Sequence, residues 1–199
     1  GKSIVGQFFE SAVLTAGKDV QATYLLNCQL KANGKLLVEG RKGVIIGGKT
    51  CAKLGVSCNG IGNIAEIATV VSVGIDKEDM TAYQELQKKI EQTQAELQTC
   101  ENGLNKLMAN PVHDEKVSMM IQRLTRAVYT LKSSRKELFS ERNAQMEQMT
   151  KQKEARIQVS GRAYPGTLLF LNEDPFAIKE IYNNVEFVKH DNRIDTLAH

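Results

Sequence analysis

Tyr83, Leu86, Ile90, Thr93, Leu97, Cys100, Leu104 and Leu107 stand alternately three and four residues apart, and Val117, Ile121, Leu124, Val128 and Leu131 resume the spacing after Asn110-Pro111. This is a coiled-coil seam interrupted once. Glu, Gln, Lys and Arg fill most of the intervening positions, and Gly103 is the one glycine in either arm. Pro111 ends the first helix, and His113 or Asp114 can begin the second. At a rise of 1.5 Å per residue each arm reaches roughly 45 to 60 Å. A connector of about four or five residues makes the arms antiparallel neighbours. Past Leu138 the apolar residues Phe139, Met146 and Met149 call for a shifted register, so a stutter is expected there. The hairpin, residues 76–154, returns the chain to where it left. Residues 1–75 and 155–199 are therefore expected to form one body.

Of the 199 residues, the hairpin takes a large share while building only a narrow core. The net charge is +3, residues 1–75 carry eight basic and four acidic side chains, and the hairpin is nearly balanced. No such balance makes a phosphate track, so nucleic acid is not an expected partner. Cys28, Cys51, Cys58 and Cys100 show no CxxC spacing, and one lies on a helical seam. They read as small hydrophobes in a reducing compartment rather than as disulfides or a zinc site. No run has the apolar length of a membrane span and no leader pattern is visible, so a cytoplasmic location is expected. The chain opens on Gly1 rather than methionine, which suggests a fragment whose N-terminal partner domain is missing.

Before the hairpin the helical period vanishes. Short β-type runs, Ala12-Val13-Leu14-Thr15, Lys35-Leu36-Leu37-Val38 and Thr69-Val70-Val71-Ser72-Val73, alternate with small or polar turns. Similar phrases recur at Leu14-Thr15-Ala16, Leu30-Lys31-Ala32 and Thr50-Cys51-Ala52, at intervals of sixteen and twenty residues. Such intervals suit one coil of a parallel β-solenoid, with an antiparallel sandwich of short strands as the alternative.

Two enzyme patterns lie in the same region. Gly43 to Thr50 fits GxxxxGK[ST], the phosphate loop, with Lys49 and Thr50 as its functional pair. That chemistry needs a helix starting at the lysine, whereas Cys51 to Gly62 has no helical character. Ile46, Ala52, Cys58, Ile64 and Val70 recur every six residues, as in hexapeptide acyltransferases, which use a histidine base between coils. The three histidines, His113, His190 and His199, all lie outside the repeat. No catalytic, cofactor-binding or metal-binding residues are assigned.

After the hairpin, Arg156 to Gly161 alternates like a strand, Tyr164-Pro165-Gly166 is a turn, and Thr167 to Leu171 is a buried strand. Phe176 to Lys179 and Val185 to Lys189 read as two more, the last closing near Asp191-Asn192. These strands are expected to cover the last coil, whose open edge would otherwise invite aggregation.

The order of parts, with Ile46-Gly47-Gly48-Lys49 and Ala52, Ile61-Gly62-Asn63, Thr69 and Val73-Gly74 before the helices, resembles the FapA-type flagellar assembly protein A family. The matching phrases after the helices are Val159-Ser160-Gly161-Arg162-Ala163-Tyr164-Pro165-Gly166, Phe187 and Asn192-Arg193-Ile194. The resemblance implies a mixed fold: a right-handed parallel β-solenoid (1–75) interrupted by a long antiparallel α-helical coiled-coil hairpin (76–154), with a short β-rich C-terminal return (155–199). It assigns the Gly47-Gly48 pair to a solenoid turn. It also implies a role in flagellar assembly or polar placement through protein contacts rather than catalysis.

A non-enzymatic scaffold is accordingly the expected function, with partner proteins meeting the hairpin near Asn110, Val112, His113, Asp114, Met119 and Met120. No cofactor is expected, and homo-oligomerisation is an open expectation. The alternatives are a nucleotide-binding enzyme using Gly43 to Thr50 and a structural polymer of solenoids stacked end to end.

Overall fold

The computed structural model describes residues 2–109, 114–191 and 193–198. Nine strands precede the helices: β1 (Ile4–Val5), β2 (Phe8–Glu10), β3 (Val13–Ala16), β4 (Val20–Ala22), β5 (Tyr24–Ala32), β6 (Leu36–Val38), β7 (Val44–Ala52), β8 (Val56–Ile61) and β9 (Thr69–Val73). Helices α1 (Lys77–Met108) and α2 (Glu115–Lys153) follow. Five strands complete the described chain: β10 (Ile157–Ala163), β11 (Thr167–Leu171), β12 (Asp174–Ala177), β13 (Tyr182–His190) and β14 (Arg193–Ala198). Two compact units result, Gly1–Lys77 with Gln148–His199, and Glu78–Glu147.

In the first unit every pairing among β1 to β11 is parallel, which overturns the antiparallel sandwich. The paired residues are 16 apart between β3 and β5 (Leu14 with Leu30) and 20 apart between β5 and β7 (Leu30 with Thr50). These are the intervals at which the sequence phrases recur. The strands form three faces of a β-solenoid of about four turns, because β5, β7, β8 and β10 each bend and serve two faces. One face stacks β1, β4, β6, the start of β8 and the start of β10; the second stacks β2 with parts of β5, β7, β8 and β10. The third stacks β3, the ends of β5 and β7, then β9 and β11.

Each face sends one side chain per coil inward onto its equivalent in the next. The first runs Ile4, Val20, Leu36, Val56, Ile157 and ends on Phe187. The second runs Phe9, Leu25, Ile45, Ile61, Ala163 and Tyr182, and the third Leu14, Leu30, Thr50, Val71, Leu169 and Phe176. Leu36, Ile45, Ile61, Ile157, Leu169 and Phe187 are fully buried. Each contributes about 1.5–3 kcal/mol. Phe176, Tyr182 and Phe187 pack their rings 5.5 to 6.3 Å apart at the C-terminal end of the ladders.

The corner between the second and third faces is turned in successive coils by Ser11 (φ 49), Asn27 (φ 50) and Gly47 (φ 69). A left-handed residue bends the chain without breaking the ladder on either side. Gly48 follows with φ 74, and a Cβ there would lie 2.2 Å from the Cys28 carbonyl oxygen. The close approach of neighbouring coils therefore demands glycine.

In the helices, all eight residues of the first sequence seam and all five of the second are buried or half-buried. Beyond Leu131 the less exposed positions continue at Arg135, Leu138, Arg142 and Gln145, still four and three apart, while Met146 is exposed. The expected stutter is thus absent. The long Arg and Gln stems occupy positions that the apolar pattern leaves blank, and the Arg142 guanidinium lies 4.7 Å from the centre of the Phe139 ring.

The C-terminal strands add antiparallel pairs: β12 on β11, β13 on β10 and β14 on β13. β14 is not among the strands that the sequence pattern marks. Ile64, a member of the six-residue repeat, is exposed and lies outside the strands.

Two glycines should respond in opposite ways. Gly48→Ala is expected to destabilise the solenoid by about 2 kcal/mol or more, through the left-handed backbone and the carbonyl contact. Gly103→Ala, whose added Cβ would meet only Leu124 Cδ1 at 3.6 Å, should stabilise α1 by about 0.5–1 kcal/mol. Urea unfolding followed by circular dichroism measures both.

Candidate functional site

The phosphate-loop lookalike lies in β7. Gly43 to Thr50 enters the strand rather than a helix, and the chain continues extended through Cys51 and Ala52. Alternation within the strand sends Lys49 outward and Thr50 inward, where it is fully buried in the third ladder. The two side chains a phosphate loop needs together point to opposite sides of the sheet. Thr50 Oγ1 has no hydrogen-bond partner in the core. Such a hydroxyl costs about 1–3 kcal/mol of desolvation.

The root of the helical insertion is more informative. The chain leaves the solenoid after β9 and returns at β10, which lies directly on β8 with Val56 paired to Ile157. Asn172, at φ 50, joins the departing and returning strands. Its Oδ1 accepts the N–H of Ile75 at 2.9 Å, and its Nδ2 donates to the Lys153 carbonyl at 3.1 Å. One side chain ties both ends of the excursion to the end of β11. Beside it, the Asp76 carboxylate faces Lys53 Nζ at 3.6 Å and Lys31 Nζ at 4.0 Å, immediately before α1 begins. Sequence reasoning missed Asn172, whose only signal is a polar amide just after a buried strand.

Of the residues proposed for partner contact, Asn110, Val112 and His113 lie outside the described residues. Asp114 is exposed and accepts the Val117 N–H at 2.7 Å, so it is the N-cap of α2. Met119 and Met120 are both exposed on the following turn, at 50% and 56%. Within the second unit an apolar groove of about 670 Å³ is lined by Ala95, Thr99, Cys100, Ala127, Thr130 and Leu131.

All four cysteines are free, Cys28 and Cys58 buried, Cys51 and Cys100 partly so. Burial raises the Cys58 thiol to about 12, against a smaller opposing hydrogen bond from Gly60. Because the folded value is raised, its stabilising effect is complete below the ordinary value of 9.0 and is lost as pH rises through about 12. Among the described residues no three His, Cys, Asp or Glu side chains are placed to hold a metal ion.

Three outcomes are expected. Thr50→Val should raise stability by about 1 kcal/mol in urea melts, by deleting the unpartnered hydroxyl without changing volume. Asn172→Ala should lower it by about 1–3 kcal/mol by leaving the Ile75 N–H and the Lys153 carbonyl without that partner. Alkylation at pH 8 should modify Cys51 and Cys100 while Cys58 reacts only after unfolding.

Comparison with curated proteins and with solved structures gives no match. The family model described as FapA, Flagellar Assembly Protein A beta solenoid domain, matches residues 1–194, nearly the whole chain. Coils stacked in register, held closed across a long helical insertion, belong together with that match: the chain is a member of the Flagellar Assembly Protein A beta solenoid domain family.

Proposed function

We propose that this chain is a non-enzymatic scaffold of flagellar assembly that acts in the cytoplasm through protein contacts. Its solenoid is right-handed, and its two helices form an antiparallel coiled-coil hairpin that serves as the recognition element. The observation that carries this reading is the insertion itself. About 80 residues enter between β9 and β10 without interrupting any ladder, so the core of the first unit does not require them. A segment of that length kept for something other than the core is best explained by contact with another molecule.

Antiparallel pairing of the helices is supported by contacts within the second unit. Glu101 Oε1 meets Lys132 Nζ at 2.8 Å, a Cβ on Gly103 would lie 3.6 Å from Leu124, and Gln145 Nε2 reaches the Asp79 carbonyl at 3.5 Å. Partners on α2 thus move toward its C-terminus as those on α1 move toward its N-terminus. The exposed Met119 and Met120 suit an adaptable apolar contact close to the turn. No described helix is long and apolar enough to cross a membrane.

Retention of flagellar components from a lysate tests the reading, using the intact chain, a Met119→Asp/Met120→Asp variant and a chain with 78–147 replaced by a short glycine linker. The expected result is retention by the intact chain, at least ten-fold weaker retention by the methionine variant, and none by the linker chain. Equal retention by all three would place recognition on the solenoid and leave the helices as a spacer. Millimolar ATP or GTP with magnesium should leave the melting temperature unchanged in the intact chain and in Lys49→Ala. A nucleotide-induced rise that Lys49→Ala abolishes would restore the enzyme reading.

A further inference from the structure

The helical seam of the second unit is closed on one side and open on the other. On the closed side the Lys132 ammonium bridges to Glu101 at 2.8 Å. On the open side, the flanking positions that usually carry long charged side chains in a coiled coil hold Gly103 and Ala127. Neither reaches across, which leaves the edges of Cys100 and Leu131 in the groove of about 670 Å³.

Helical spacing carries this open side toward the end of the unit where α1 stops and α2 starts. On α2, Arg123 and Arg126 lie four residues before Ala127 and Thr130, Met119 and Met120 lie seven before Arg126 and Ala127, and Lys116 lies seven before Arg123. On α1, Lys106 lies seven residues after Thr99. The two exposed methionines therefore prolong the groove, and four exposed cations flank the same stretch. Among the described residues no acidic side chain falls on that stretch, and no ion pair engages Lys106, Lys116, Arg123 or Arg126. Toward the other end the charges are mixed, with Glu96, Glu137 and Glu141 against Lys88 and Lys89. The open side is thus polarised, cationic at its methionine end.

We infer that this groove receives one amphipathic helix of a partner protein, whose apolar stripe lies along Ala95, Ala127 and Leu131 and whose end beside Met119 and Met120 carries a cluster of Asp or Glu. The inference rests on the reading of the helices as the recognition element, and adds which side is used and which chemistry fits it. A helix is the occupant because both walls are helices. Their backbone groups are bonded within each helix, so an extended peptide finds no edge to pair with, whereas a helix brings its own backbone bonds and needs only side-chain packing. Small wall residues let it approach closely as a third helix. The charge polarity then fixes its direction. Acidic side chains at the methionine end meet Lys106, Lys116, Arg123 and Arg126, and a helix with cations at that end is repelled by the same four.

Photo-cross-linking of the full chain in the same lysate tests this, with p-benzoylphenylalanine placed singly at Thr99, at Thr130 and, as a control, at Tyr129. All three positions are exposed, and Tyr129 points about 100° round α2 from Thr130. Folding of each chain is checked by circular dichroism. The expected result is one adduct common to Thr99 and Thr130, whose cross-linked segment, identified by mass spectrometry, has an apolar stripe at helical spacing and an acidic end. Its yield should fall about ten-fold at Tyr129, and about ten-fold at Thr130 when Arg123→Glu/Arg126→Glu is added. No adduct at Thr99 and Thr130 overturns the inference, as does a segment that is basic, lacks the stripe or belongs to a second copy of this chain. A yield indifferent to the charge reversal overturns it as well. The broader reading fails separately: it falls if the glycine-linker chain retains flagellar components as well as the intact chain does. It stands, and this inference alone falls, if Met119→Asp/Met120→Asp weakens retention while no adduct forms in the groove.

Discussion

The structure depends on one constraint, that each coil of the solenoid must rest its inward side chains on the equivalent side chains of the coil before. A parallel ladder provides this with hydrogen bonds along every face, and the inward columns merge into one continuous core. Such a core has no slack. Coil length varies between 16 and 21 residues, but the extra residues are discharged at corners and never shift a paired strand by an odd step on an inward face. The helical insertion obeys the same rule at larger scale. However long the excursion, Ile157 must return onto Val56 and Thr167 onto Thr69. The Asn172 amide, bonded to Ile75 and Lys153, fixes the two ends so that they do.

Parts of this were legible in the amino-acid sequence because their periodicity is the structure. The phrases at Leu14, Leu30 and Thr50 are sixteen and twenty residues apart because they lie above one another. The spacing of Leu86, Ile90 and Leu97 marks the buried side of α1 for the same reason. Other parts carried no such signal. β1 and β4 are two and three residues long, too short to alternate visibly. The left-handed corners use Ser11 and Asn27 as well as Gly47, so glycine alone does not trace them. Seam positions of α2 beyond Leu131 are filled by Arg135, Arg142 and Gln145, whose aliphatic stems are invisible to an apolar pattern. The match of Gly43 to Thr50 to a phosphate loop arises from the opposite cause. Gly43 before β7 and Gly48 at the corner within it, both left-handed, with the outward Lys49 of the same strand, reproduce the letters of the motif without the helix that gives it its chemistry.

The proposed site was less legible than the fold. Asp114 caps α2, as its place before the second seam leads one to expect, and Met119 and Met120 are exposed apolar side chains on the following turn. The inference of a recognition hairpin therefore leans on organisation rather than on any one residue. A solenoid whose ladders close across the insertion leaves the helices free to be selected for another purpose, and their polar flanks with a short apolar stretch near the turn suit protein contact.

Native-state hydrogen exchange on the full chain tests most directly the claim that the insertion interrupts the sequence but not the core. The account predicts that the amides of β6 to β9 and of β10 and β11 gain and lose protection together as one cooperative unit, with α1 and α2 opening separately. Separate opening of the strands before residue 75 from those after residue 155, each with its own protection, would contradict it.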